Sequence, residues 1–244
     1  MKRLVMKRGA ISRLGLLPNI LLLSDSALPT GGFAHSYGME TFICRGATNV
    51  IGLLRTFIHE EFGKVDLPAF VIAYRATRRS DLSGLKEIDR TVNAMKIPRE
   101  WREAGVQTGR RLIAISAVLD GEKHTVTASD FWLPYCKLVE SGDTPGQYAV
   151  VAGALDCLLG FSLEEAALAY AVSVLKNLIS ALVRLVPLGQ TEGLSLQCSL
   201  HEELVVIAQK ATLITNLDQL GGFAPELELA GMQHEQLYTR LFIS

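Results

Sequence analysis

Residues 162–189 read SLEEAALAYAVSVLKNLISALVRLVPLG, and the fold class turns on this stretch. Ser162 and Glu165 stand at capping-box spacing, in which the hydroxyl and the carboxylate each satisfy an orphan amide of a first helical turn. Nothing breaks a helix from Leu163 to Val186, and Pro187 and Gly189 then stop it. The body is apolar almost all round, apart from Lys176, Asn177 and Arg184. A helix without a polar face has no surface to sit on, so this one is expected at the centre of the molecule.

The rest of the chain repeats the pattern more weakly. Apolar residues recur at three and four, and strict alternation is scarce. Residues from about Arg99 to Leu119 align Trp101, Gly105, Thr108, Leu112, Ile115 and Leu119 on one face, where Gly105 and Gly109 admit close approach of another helix. A third helix is expected over Leu200 to Leu217. Further helices are expected over His35 to Arg45, Ile51 to Phe62, Leu67 to Arg78 and Gln147 to Leu158. Residues 121–129 read as a loop or a short strand. No linker, repeat or low-complexity tract divides the chain. The expectation is an all-α fold, with residues 14–244 forming a single compact multi-helix domain and residues 1–13 a basic, disordered tail.

Composition narrows the function. The 244 residues carry 24 Lys plus Arg against 25 Asp plus Glu, a net charge of −1, which argues against generic nucleic-acid binding. So small a charge gives little self-repulsion and suits a protein that associates with others. Cys44, Cys136, Cys157 and Cys198 are scattered singly, outside zinc-knuckle spacing, and read as free thiols of a reducing compartment. Lys2, Arg3, Lys7, Arg8 and Arg13 before the apolar residues 14–23 imitate a targeting signal. Pro18 and Asn19 interrupt the apolar run, and a poor cleavage site follows, so the expected location is cytoplasmic, with no membrane association.

Catalytic signatures are missing. There is no phosphate-cradling loop, dinucleotide-type glycine fingerprint or nucleophile elbow. His59-Glu60, His201-Glu202 and His234-Glu235 suggest a zinc-protease helix, but the position four after each histidine holds Gly63, Val205 or Tyr238. No metal ligand set and no catalytic residue is assigned.

Two segments carry more than a helical core needs. Residues 28–40, LPTGGFAHSYGME, follow a proline with a glycine pair and then cluster Phe33, His35 and Tyr37, as a tight turn or a recognition surface would. Residues 232–244, MQHEQLYTRLFIS, keep His, Tyr, Arg, Leu and Phe to the last positions, where chains ordinarily fray. A segment that docks, on its own domain or on a partner, explains such an end.

With residues 184–190, RLVPLGQ, these segments resemble the urease accessory protein F family (UreF). Leu28-Pro29, Gly31-Gly32-Phe33, Ser36, Gly38 and Glu40 resemble its opening signature. Arg184 and Val186 to Gln190 resemble its middle segment. Pro225, Met232, His234-Glu235, Leu237-Tyr238 and Arg240 to Ser244 resemble its closing signature. Met39 and Leu194 depart from the usual leucine and glutamine. Residues from about Arg79 to Thr144 resemble the family only loosely.

The resemblance implies an all-α, usually dimeric, non-catalytic helper in assembling the nickel site of urease. Its implied partners are a D- or H-type accessory protein, a nickel-carrying GTPase and the urease apoprotein. Nickel is handled by the complex, and no cofactor is assigned to this chain. The implied partner-binding residues are Pro29, Gly31, Gly32, Phe33, Ser36, Tyr37, Glu40, Arg184, Gln190, His234, Glu235, Tyr238, Arg240 and Phe242, with residues 225–244 as the docking segment. The scaffold reading has a rival, in which Arg184, Gln190 or Arg240 enters the GTPase site and stabilises transition-state charge. An unrelated helical protein, including an enzyme without a recognisable motif, is the remaining alternative.

Overall fold

The computed structural model describes residues 13–25, 28–121 and 126–244, which hold helices and no strand. The helices are α1 (Arg13–Leu23), α2 (Met39–Cys44), α3 (Val50–Thr56), α4 (Leu67–Arg78), α5 (Leu82–Met95), α6 (Arg99–Asp120), α7 (Trp132–Glu140), α8 (Tyr148–Leu159), α9 (Leu163–Leu185), α10 (Gln190–Ser199), α11 (His201–Ala211) and α12 (Pro225–His234). A π-helical segment, Phe57–Asp66, joins α3 to α4, and 3-10 turns form at Gly32–Ala34 and Leu217–Gln219. The expected tail lies outside the described residues up to position 12.

The all-α expectation holds, and α9 is the central helix. Its capping box is formed, with the Glu165 amide donating to Ser162 Oγ at 3.3 Å and the Ser162 amide donating to Glu165 Oε2 at 3.4 Å. α4, α8, α11 and α1 pack around it. Tyr170 of α9 stacks on Phe70 of α4 with centroids 4.7 Å apart. α9 is long and apolar enough to cross a membrane, but Ala166, Ala171, Leu178 and Leu182 are buried against neighbouring helices. It is a core helix.

Glycines set how closely the helices approach. A Cβ at Gly153 of α8 would lie 2.3 Å from the Phe70 carbonyl oxygen of α4. A Cβ at Gly109 of α6 would lie 2.0 Å from Gly146 O at the start of α8, the close approach that Gly105 and Gly109 predict. Asp89 of α5 fixes that start as well, accepting from Thr144 Oγ1, Gly146 N and Gln147 N at 2.7 Å each.

Three boundaries differ from expectation, each for a visible reason. The helix expected over Ile51 to Phe62 turns π-helical after Thr56; the Leu67 amide reaches Phe62 O at five-residue spacing. The helix expected over His35 to Arg45 is broken at Gly38 (φ 81°), where a Cβ would lie 3.0 Å from Leu227 O of α12. The helix expected to reach Leu217 stops at Ala211, and Arg75 takes the freed carbonyls of Thr212 and Ile214 at 2.6 Å each. Residues 122–125 of the loop-or-strand segment lie outside the described residues, while Val126 to Ser129 form a turn closed at 3.0 Å. α1, α5, α7, α10 and α12 were not anticipated.

Candidate functional site

The opening turn, the end of α9 and the closing segment meet at one place. Gly31 (φ 82°) and Gly38 (φ 81°) give the opening turn two left-handed positions, which glycine takes without steric cost. The turn wraps so closely that a Cβ on Gly31 would overlap the Arg111 guanidinium, and one on Gly32 would lie 2.9 Å from Asn177 Nδ2. Arg111 in turn donates to Thr30 O at 3.4 Å.

Past α12 the closing segment runs back along this turn, pinned by its main chain. The Leu241 and Phe242 amides donate to Glu40 Oε1 and Oε2 at 2.7 and 3.1 Å. Ile243 N donates to Ala34 O at 2.9 Å, Tyr37 N to Ser244 O at 3.3 Å, and Ser36 N also donates to Ser244 O. His35 Nδ1 faces Ser244 Oγ at 2.9 Å. Burial, with Arg111 adding to it, pushes the His35 imidazole down to about 4, so this ring is neutral near neutrality.

Beneath the strap lies a charged core. His234 is fully buried, with Nε2 at 2.9 Å from Glu40 Oε2 and Nδ1 at 2.6 Å from Glu100 Oε2. The imidazole thus lies between two carboxylates, one at each ring nitrogen. Arg240 donates to Glu100 Oε1 at 2.9 Å and gives that carboxylate a guanidinium partner. Carboxylates paired and hydrogen-bonded in this way are tolerated away from water. Glu40 ties α2 to the strap, and Glu100 ties α6 to both His234 and Arg240.

Arg184 lies in the last turn of α9, as expected, with its side chain exposed. Its guanidinium donates to the Phe33 carbonyl and lies 4.5 Å over the Phe242 ring. Glu235 takes Arg99 in a forked pair, at 3.1 and 2.8 Å. Tyr37 (φ 51°) packs tilted against Phe57 at 5.0 Å and meets Trp101 edge-on at 6.0 Å. Ser36 is buried at the strap and its Oγ accepts from Glu40 N at 3.4 Å. Pro29 and Gln190 are exposed, and Gln190 is the first residue of α10.

Phe242 and Ser244 point inward, whereas Tyr238 is fully exposed and Leu241, Ile243 and Phe33 are exposed at 72, 55 and 46%. The strap therefore presents an apolar outer row. Among the described residues no three His, Cys, Asp or Glu side chains gather as a metal-holding group. The histidine at the centre has its carboxylates on opposite ring nitrogens, so they share no point for an ion.

Known proteins match this chain along nearly its whole length. The UreF family model matches residues 44–201. The "Urease accessory protein UreF" of Actinobacillus pleuropneumoniae serotype 5b is 32% identical over 235 residues, covering 95% of this chain and all of that protein. The protein so described from Nostoc sp. is 33% identical over 230 residues, covering 93% and 95%.

The chain belongs to the UreF family.

In this UreF-family chain the strap carries the opening and closing signatures, which lie outside the span of the family model. Sequence reasoning named Glu40, His234 and Arg240 without seeing that they meet. It missed Glu100 altogether, whose place in the first turn of α6 reads as an ordinary helix-dipole charge. It also missed Arg111 and Asn177, which hold the glycine turn. Their only sequence signal is the glycine pair itself, which calls for some close neighbour without saying which.

Proposed function

We propose that this urease accessory protein is a non-catalytic scaffold in nickel-site assembly. It binds a D- or H-type accessory protein through the outer row of the strap and brings the nickel-carrying GTPase to apo-urease, working as a dimer in the cytoplasm. The observation that supports the reading is the strap itself. Buried charges hold its inner side at fixed geometry while Phe33, Tyr238, Leu241 and Ile243 face solvent. Exposed aromatic and aliphatic side chains on a rigid backing are what a protein partner needs as anchors.

In this reading the fourteen sequence-predicted residues divide by what they touch. Phe33 and Tyr238 offer surface to the partner. Gly31, Gly32, Ser36, Tyr37, Glu40, His234, Glu235, Arg240 and Phe242 shape the strap and its backing. Arg184 joins the end of α9 to both. Pro29 and Gln190 border the surface.

Size-exclusion chromatography with light scattering tests the proposal, using this chain with the D-type protein and the nickel GTPase of the same organism. A stable ternary complex is expected, weakened by Arg240→Ala with the helical circular-dichroism signal retained. Helix loss without a separate binding defect would refute the role given to Arg240. Multiple-turnover GTP hydrolysis tests the rival reading. Arg184 and Arg240 are each committed to partners within the chain, so a modest rate change is expected; a rise of orders of magnitude would establish an inserted arginine or glutamine.

A further inference from the structure

Between α9 and α10 lies an open groove of about 480 Å³. It exists because Gly193 lets α10 settle on α9, where a Cβ would come within 2.9 Å of Val183 Cγ2. Lys176, Ser180 and Arg184 follow at four-residue intervals along one wall, and Gln190 and Gln197 face them from α10. Leu194, 60% exposed, forms the lip.

No residue lining the groove carries a carboxylate. Both cations donate to carbonyl oxygens, and Arg184 also lies over the Phe242 ring. Lys176 Nζ donates to Ser24 O at 3.0 Å, while Arg184 donates to Ser180 O at 3.0 Å and to Phe33 O. Neither has an ion pair among the described residues. Burial depresses the Arg184 guanidinium, and no acid offsets it. Carbonyl dipoles aim a cation without neutralising it. Two aimed, unneutralised cations beside amide donors form a receptor for anions.

Spacing says what kind of anion. Eight residues of helix separate Lys176 from Arg184 by about 12 Å. A single phosphate or carboxylate cannot touch both. Residues four apart in an extended strand are about 13 Å apart and point the same way. We propose that the α9–α10 groove docks an extended acidic segment of a protein partner, with two carboxylates four residues apart on Lys176 and Arg184. The two glutamines hydrogen-bond the main chain between them, and Leu194 covers its apolar side. The inference goes beyond the scaffold reading, since its test needs no urease protein and its failure would leave the strap surface untouched.

The test is an NMR titration of the full chain with an acetylated, amidated peptide Glu-Ser-Ala-Ser-Glu. Its controls are a scrambled peptide with adjacent glutamates and inorganic phosphate. Shift changes are expected at Ser180, Gln190, Gly193 and Gln197. Gln197→Glu should weaken binding about threefold and Gln197→Lys strengthen it about threefold, the size of one exposed charge pair. Lys176→Gln should weaken it by at least as much. Gln197 lies on the far wall of the groove from Arg184, so its two variants keep the fold. Equal shifts from phosphate or the scrambled peptide would overturn the proposal, leaving a generic anion site. Shifts on another face, indifference to all three substitutions, or no binding at millimolar peptide would overturn it as well.

Discussion

The packing of α4 on α8 and the strap over α2 are both buried, yet they are held by opposite means. At the first, Phe70, Val71, Val150, Val151 and Leu155 are fully excluded from solvent, and the closest approach is backbone against Gly153. At the second, Glu40, Glu100 and His234 are also buried, and the carboxylates of Glu40 and Glu100 accept hydrogen bonds from the strap's main chain, His234 and Arg240. Apolar packing tolerates exchange of one hydrophobe for another of similar volume. A paired buried charge tolerates almost nothing, because removing either partner strands the other. The core fixes that the chain folds; the strap fixes one surface on it.

The largest effect should come from the core side. Gly153→Ala puts a methyl 2.3 Å from the Phe70 carbonyl oxygen, which neither helix can yield without unpacking the other. A loss of about 3 kcal/mol is expected, at the upper end for overpacking. Urea unfolding reads it; a normal midpoint would show that the contact is less rigid than its geometry.

The next effect belongs to the strap and should be local. Glu40→Ala removes the acceptors of Leu241 N and Phe242 N and leaves His234 facing one carboxylate instead of two. Opening of residues 241–244 should become easier by about 2 kcal/mol. Hydrogen exchange should show their amides losing protection by over an order of magnitude while α4 and α8 keep theirs. Equal loss in both regions would mean that strap and core open as one unit.

Two titrations sharpen the contrast through opposite pH slopes. Glu61, in the π-helical segment, is pushed up to about 7, first by burial and then by Asp66, with Lys96 opposing and Glu228 of α12 sharing a hydrogen bond. Its folded form holds a proton that the unfolded chain releases near 4.5, so its contribution is present below 4.5 and lost as pH rises toward 7. His35 under the strap runs the other way. Folding keeps it neutral down to about 4, whereas the unfolded chain takes a proton near 6.5, so its contribution is present above 6.5 and lost as pH falls toward 4. Glu61→Gln should remove the loss on the alkaline side and leave the acid side unchanged. Denaturant midpoints from pH 4 to 8 give the result, and an unaltered profile would place Glu61 in contact with water.

These regions also differ in how far the sequence announced them. Leu163 to Val186 was legible as a central helix because a helix lacking a polar face has one place to go. α10 was not, since Gln190–Ser199 gathers no apolar face of its own. α5 was not anticipated, although Leu82, Leu85, Ile88 and Val92 recur at helical spacing and its buried side is this one. The strap was legible as a set of family positions and as an end too rich in anchors to be loose. Its chemistry was not. Glu40 and His234 are 194 residues apart, and Glu100 lies 134 residues before His234, so no local spacing reveals that they meet. Periodicity encodes which side of a helix is buried; it carries no signal for which buried charge will find which other.

The smallest effect separates buried from exposed charge within the strap region. Arg99 takes Glu235 in a forked pair of 3.1 and 2.8 Å, better aligned than the single bond of Arg240 to Glu100 at 2.9 Å. By geometry alone Arg99 would matter more. Environment reverses the order: the Arg99 and Glu235 side chains are exposed at 59 and 35%, whereas the Glu100 side chain is exposed at only 8%. Water and salt screen the first pair, and holding two long side chains together costs entropy. Removing Arg240 leaves one oxygen of a buried carboxylate without its cation. Arg99→Ala should therefore leave the thermal midpoint and the protection of residues 241–244 unchanged, while Arg240→Ala lowers that protection. If both substitutions loosened the strap equally, its hold would come from the number of ion pairs around it, and the burial of Glu40, Glu100 and His234 would lose its meaning.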